Sequence, residues 1–358
     1  MGGLTNLGVV RTEGVRTVIV SCHNLPMTQP LRWALIGASD IAATRLIPAI
    51  NGVGDTITAV QSGSQDWAAA YAATHTIDFW TTSVDELLSR VDVDAVYVSS
   101  TNEKHHDQVV AAAAAGKHVL AEKPLALTVD DARAMVAACE HAGVVMATNH
   151  HLPASPTHRA MKALVADGAI GQVRAVHVNH SVGLPQHLQG WRVDDPIGGG
   201  VAYDVFVHDM AAVRALIGGQ AMRVYAAERT GAAVPQSLMT VVNWADDVIV
   251  QTHDSYDNYH LPTWLEILGT QGAIRSTGCM TGDPIGEVQL FKDHQLTDIE
   301  VGPRDDLYVT TVRAFDRAVR EGTAPLVTGW DGVCSLAAVE AAQASLSSGC
   351  GAEVQQIS

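Results

Sequence analysis

The chain has 358 residues, enough for about two domains at the usual size of roughly 150 residues each. With 47% hydrophobic and 17% charged residues it has the composition of a packed globular protein, which excludes disorder, collagen and coiled coil. Its 22 Lys and Arg against 38 Asp and Glu leave a formal charge of −16 with no basic run, so nucleic acid and anionic membrane are poor partners.

Residues 1–29 read as an N-terminal extension. Val18-Ile19-Val20 is too short for the apolar core of a signal peptide, Met27 is a possible start, and an ordered arm is the alternative. From Leu31 to about Thr148, short apolar runs alternate with amphipathic segments, the pattern of βα units around a parallel sheet. Strands are expected at Arg32–Gly37, Ile57–Gln61, near Phe79, and at Asp94–Ser99, His118–Glu122 and Val144–Thr148. Ser83-Val84-Asp85-Glu86 and Thr128-Val129-Asp130-Asp131 look like helix-capping sequences.

After Pro153 the rhythm changes. A helix over Thr157–Asp167 precedes strands at Val173–Val182, Met222–Arg229, Met239–Trp244, Val248–Asp254, Trp264–Leu268, Gly286–Phe291 and Leu296–Val301. Helices over Asp305–Arg320 and Asp331–Ser348 close the chain. Strands without intervening helices favour an antiparallel sheet. The expected fold is therefore α/β: a doubly wound Rossmann domain over 30–150, then an α+β domain with a mostly antiparallel open sheet over 151–358, used for substrate binding and assembly.

Trp33–Ala42 is a buried strand running through a tight turn into a helix, a geometry that offers amide N–H groups to a pyrophosphate. Gly37 supplies the first glycine of a dinucleotide fingerprint; Ser39 and Ala42 stand at the other two positions, and an ordinary α/β turn is the competing reading. Gly37, Ser39, Asp40 and Ile41 are thus cofactor candidates. The second strand ends Val60-Gln61-Ser62-Gly63-Ser64 with no carboxylate before Asp66, so nothing there rejects a 2′-phosphate and Ser62 and Ser64 can donate to one. No Arg or Lys lies in that loop to neutralise it.

Lys123, in Ala121-Glu122-Lys123-Pro124, falls at the C-terminal edge of the parallel sheet, where such folds hold ligands. Ser99-Ser100-Thr101-Asn102-Glu103-Lys104-His105 follows another strand end, which makes Ser100, Thr101, Asn102, His105 and Glu122 cofactor candidates beside Lys123. The run Gly198-Gly199-Gly200-Val201-Ala202-Tyr203-Asp204 through His208 opens a helix with Asp204 and His208 one turn apart. Each has a plainer reading: Lys123 as a surface lysine before Pro124, His208 as a helix histidine.

In this order and combination the motifs resemble the glucose-fructose oxidoreductase and inositol dehydrogenase family over about residues 31–357. The runs Ile36–Ser39, Thr101–Glu103, Thr148–Leu152, Leu188–Arg192 and Thr328–Val333 are most similar to its keto-sugar reductases. The resemblance implies a nicotinamide-dependent reductase in which Lys123 and His208 are the central catalytic pair. It further implies that Asp204 orients the site and bonds a substrate hydroxyl. His151, Trp191 and Arg192 join Asp204 and His208 as expected substrate contacts; Trp191 and Arg192 read nearly as well as sheet-edge packing. Trp67 stands where the similar reductases carry an Arg for the 2′-phosphate. NADP(H) is therefore expected to be favoured modestly, with NAD(H) possible.

The histidines His150, His151, His180 and His187 lack organised metal spacing, and no metal is expected. The five cysteines lack CxxC spacing, which points away from a disulfide framework and towards a cytoplasmic protein. A homo-oligomer is expected through the second sheet, whose strands include Val248-Ile249-Val250. Two other functions remain open here: an NAD-dependent sugar or polyol dehydrogenase with His208 as base, and a non-catalytic nucleotide-sensing regulator.

Overall fold

The computed structural model describes residues 29–229, 234–258 and 260–357. The expected extension over 1–29 lies, apart from Gln29, outside the described residues. Six parallel strands, β1 (Arg32–Ile36), β2 (Thr56–Gln61), β3 (Phe79–Thr81), β4 (Ala95–Val98), β5 (His118–Ala121) and β6 (Met146–Thr148), form a sheet in the order β3-β2-β1-β4-β5-β6. β4 is buried along its whole length, as a strand covered by helices on both faces must be. The strand order reverses between β1 and β4, which opens a crevice beyond their C-terminal ends.

Local chemistry sets the helix starts. The Ser64, Ser83 and Thr128 hydroxyls accept from the amides of Trp67, Glu86 and Asp131, each fixing one free N–H of a first turn. Thr328 and Asp331 form a reciprocal capping box at the last long helix, Gly329–Ser348.

The second sheet has nine strands: β7 (Val173–Ser181), β8 (Ala221–Glu228), β9 (Ser237–Trp244), β10 (Val248–Ser255), β11 (Trp264–Gly269), β12 (Ala273–Thr277), β13 (Glu287–Lys292), β14 (Gln295–Ile299) and β15 (Ala352–Glu353). Their order is β14-β13-β12-β11-β7-β10-β9-β8-β15. Two differences from the sequence pattern stand out. β7 and β10 pair in parallel, because the stretch between them carries the triple-glycine helix as a crossover. β12 and β15 were not foreseen: β12 is a five-residue strand close behind Gly272, and β15 has two residues.

The halves of the chain interlock. Helix Leu307–Glu321 packs beneath the first sheet, with the Phe315 ring 5.0 Å from that of Trp33. Ala147 of β6 bridges to Thr328, and Glu340 accepts from the Val129 amide at 2.7 Å. At Gly332 an added Cβ would lie 2.2 Å from Thr148 Oγ1, so a glycine is needed for the last helix to sit against β6. No helix among the described residues is long and apolar enough to cross a membrane.

Candidate active site

Gly37 has φ +106°, and a Cβ there would meet Ser100 N at 2.7 Å. Only glycine lets the turn after β1 lie against the turn after β4. A hydrogen bond of 2.7 Å between the Ser39 and Ser99 hydroxyls ties the two turns together, and Tyr71 donates to the Ser39 carbonyl. The Ala42 amide donates to Ser39 Oγ as the helix begins, and Asp40 and Ile41 just ahead of it line the crevice. A π-helical segment, Ala42–Leu46, follows at once.

From this turn a cleft of ≈ 770 Å³ runs to the second domain. Of the residues expected from sequence, Ser39, Asp40, Ile41, Ser100, Asn102, His105, Glu122, Lys123, His151, Trp191, Arg192 and His208 line it. Gly37 forms the turn itself. Ser62, Ser64, Thr101 and Asp204 are not in the lining, and His105 is buried with its two nitrogens 3.1 Å from the Pro124 carbonyl and 3.2 Å from that of Ser100, a brace rather than a contact.

Lys123 Nζ donates to Asp204 Oδ1 at 2.6 Å and to the Asp204 carbonyl at 2.9 Å. The other carboxylate oxygen accepts from Arg192 Nε at 3.1 Å and Tyr256 OH at 3.0 Å. Burial alone would raise the Asp204 carboxyl, but the Lys123 and Arg192 cations hold it well below the usual carboxylate range. Asp204 thus spends both oxygens on protein groups and positions Lys123 from behind. It sits in a second π-helical segment, Ala202–Phe206, a widening of the ladder often found where a helix serves a site. Glu122 is fixed in turn by Tyr97 and by Asn149 at 2.5 Å.

Around His208 lies a cluster of imidazoles. His150 Nδ1 is 3.2 Å from His208 Nδ1, and the His151 ring is 4.9 Å from that of His208. Burial, helped by the positive charge of Lys123, pushes His208 well below its ordinary value and both His150 and His151 down to about 3. All three are therefore neutral at pH 7.

His180 Nδ1 lies 2.7 Å from Asp209 Oδ1, and Asp254 backs Asp209 while accepting from Thr252 at 2.6 Å. Burial raises Asp209 to about 8 and Asp254 well above its ordinary value, so this pair keeps a proton at neutral pH. His180, Asp209 and Asp254 offer atoms within 4.8 Å of one another, yet the 2.7 Å contact is hydrogen-bond spacing. Tetrahedral ligands with bonds of ~2.0 Å stand about 3.3 Å apart.

Sequence reasoning missed Tyr308, which lines the cleft and stacks on His151 at 5.2 Å, and Arg45, which lies over the Tyr308 ring. It also missed Tyr256 behind Asp204. The two tyrosines belong to no motif and arrive through tertiary packing, so only contact information finds them.

Residues 31–150 match the family described as the oxidoreductase family with an NAD-binding Rossmann fold, and residues 158–275 match the GFO/IDH/MocA C-terminal domain. The chain is 42% identical over 329 residues to a 1,5-anhydro-D-fructose reductase from Ensifer adhaerens, covering 90% of this chain and 98% of that one. Among solved structures, a 3-ketoreductase from Actinomadura kijaniata in complex with NADP and TDP-benzene is 26% identical, with a TM-score of 0.78 over 89% of this chain and 98% of that one. An aldose-aldose oxidoreductase from Caulobacter crescentus shares the fold with a TM-score of 0.83 at 24% identity, over 91% and 100% of the two chains.

Proposed function

The chain belongs to the GFO/IDH/MocA family of NAD(P)-dependent oxidoreductases, and from that membership we propose that it reduces the carbonyl of a keto-sugar of the 1,5-anhydro-D-fructose type. The observation that carries this reading is that Lys123, held by Asp204, and His208 line one cleft together with Ser39, Asp40 and Ile41 of the turn after β1. The residues fit a dinucleotide: a glycine cradle that a Cβ would fill, the amides of a helix start, and hydroxyls of Ser39 and Ser100. When bound, the reduced nicotinamide supplies the hydride.

Lys123 holds the carbonyl oxygen through an N–H not spent on Asp204 and stabilises the negative charge that develops there. His208 presents a neutral imidazole to the same region and exchanges a proton with a sugar hydroxyl. Arg192, held by Asp204 and lying over Trp191 at 4.6 Å, contributes donors for further hydroxyls. His151 and Tyr308 close the far wall, and their stacked rings form an apolar face with polar edges suited to a sugar. Ser62 and Ser64, in the loop after β2 and outside the cleft lining, are the neutral donors offered to a 2′-phosphate, which favours NADP(H) slightly. Such an enzyme works in the cytoplasm, and the outer face of the second sheet is its surface for self-association.

Turnover of NADPH and NADH across a panel of keto-sugars and polyols tests the reading. Reduction of a 1,5-anhydroketose with either coenzyme is expected. Activity confined to polyol oxidation would replace it by a dehydrogenase, and cofactor binding without turnover on any member would replace it by a sensor.

A further inference from the structure

His208 and His150 meet through their Nδ1 atoms, with ring planes at 82° and both rings buried. Two ring nitrogens at 3.2 Å form a hydrogen bond only when one carries a proton and the other a lone pair. Which is which is decided at the far end of His150. Its Nε2 lies 3.3 Å from Ser335 Oγ, while Ser335 donates to the Gly332 carbonyl at 3.0 Å, the shorter contact. A hydroxyl has one proton to give. Spent on Gly332, it leaves the Ser335 oxygen as an acceptor, so His150 carries its proton on Nε2. The Nδ1 of neutral His150 is then bare, and the bond to His208 requires the proton on His208 Nδ1.

We propose that Ser335 and His150 form a tautomer-setting relay that fixes His208 with its proton on Nδ1 and its lone pair on Nε2, the nitrogen left for the cleft. This rests on the oxidoreductase reading and deepens it by dividing the roles of the central pair. In the resting enzyme His208 accepts a hydrogen bond from a substrate hydroxyl, and the proton for the reacting oxygen comes from Lys123. Lys123 Nζ spends two donors on Asp204 and has a third. In reduction a C–H bond forms with the hydride from the reduced nicotinamide. The carbonyl π pair moves to oxygen, the Lys123 N–H breaks and an O–H forms. Lys123 is left as a neutral amine that solvent recharges. His150 and Ser335 are positioning residues, since both act through His208.

The test is a long-range 1H–15N correlation spectrum of the full chain labelled with [15N]histidine, in which protonated and bare ring nitrogens are directly distinguished. Loss of one set of peaks in His208→Gln assigns the residue. The expected result is a protonated Nδ1 and a bare Nε2 for His208. Ser335→Ala removes the acceptor for His150 Nε2–H, lets His150 turn its proton towards His208, and shifts His208 to the Nε2–H form. Ser335→Thr keeps the hydroxyl and the original pattern. If Ser335→Ala fails to fold, His150→Leu serves instead, since it removes the acceptor for His208 Nδ1–H and should produce the same shift. A wild-type His208 protonated on Nε2 overturns the relay, as does an Nδ1–H form unmoved by either variant. The readout needs no turnover, so an inactive protein with the expected tautomer would sink the functional reading and leave the relay standing.

Discussion

Trp67 Nε1 donates to the Ala38 carbonyl at 2.9 Å, so the indole lies across the turn that opens the nucleotide cleft while remaining 55% exposed. Its place is the first turn of helix Gln65–His75, with its amide bonded to Ser64 Oγ. The neighbourhood therefore holds neutral donors, and no cation stands in the Ser62–Trp67 loop. Neutral hydrogen bonds contribute on the order of 1 kcal/mol each, which leads to an NADPH preference of about tenfold over NADH. Trp67→Arg should tighten NADPH by a further ~10-fold through charge-assisted contacts and leave NADH little changed. Titration of both coenzymes by fluorescence quenching reads this. A thousandfold preference in the parent chain, either way, contradicts it.

Lys123→Ala and His208→Ala are expected to lower kcat by roughly 10²–10⁴-fold, the usual contribution of groups that move protons or hold a developing oxyanion. Cofactor dissociation constants should change little, because the pyrophosphate cradle lies at the Gly37 turn. Near-normal turnover in both variants removes the pair from the mechanism.

The outer face of the second sheet exposes Tyr225, Met239, Val241 and Ile249 on the neighbouring strands β8, β9 and β10. Tyr225 and Val241 are paired across β8 and β9. A contiguous apolar patch of this kind is expected to be covered by a second copy of the chain. Light scattering at micromolar concentration should give a multiple of the chain mass, and the double variant Met239→Glu, Val241→Glu should shift it towards one chain. A parent protein of single-chain mass at that concentration refutes the assembly.

His158 is buried, and neither ring nitrogen has a partner among the described residues. Burial pushes it down to about 4, with the nearby His180 adding a little. A histidine with a depressed folded value adds full stability above its unfolded value near 6.5 and loses it as pH falls towards 4. In that window the unfolded chain binds the extra proton. His158→Leu should therefore unfold within about 1 kcal/mol of the parent at pH 7 and be more stable by roughly 2 kcal/mol at pH 5. Denaturant melts at the two pH values measure the difference, and an equal effect at both rules out this account.

Strand alternation made most of the two sheets legible, because buried strands at β1 and β4 and the half-exposed pattern of β9 leave periods a reader can count. The Glu122-Lys123-Pro124 and triple-glycine motifs led to the cleft for a chemical reason: both mark backbone that ends a strand or opens a helix at the sheet edge. What stayed hidden was set by contact. Nothing in Ser335 announces a bond to His150, 185 residues away in sequence. The docking of helix Leu307–Glu321 beneath the first sheet likewise depends on Phe315 meeting Trp33, a pairing without local signature. Asp204 illustrates a middle case. Its place one turn from His208 was legible from the motif, whereas its bond to Lys123 and the commitment of its second oxygen to Tyr256 and Arg192 were not.

The seam between β6 and the last helix has a consequence for access. Thr148 is wedged against Gly332, Ala147 is bridged to Thr328, and helix Leu307–Glu321 grips the underside of the first sheet. Two bodies stitched at both margins do not swing apart about a hinge, and any bend there would have to break a strand bridge and an aromatic contact together. The cleft wall formed by the short segment Gln186–Asp194, a single 3₁₀ turn and one helical turn joined through Gly190 at φ +46°, lies outside that seam and is where entry and release are expected to be governed. Turnover that is limited by release should respond to Gly190→Ala, which strains the φ +46° joint of this segment, and be indifferent to cross-links placed along the seam.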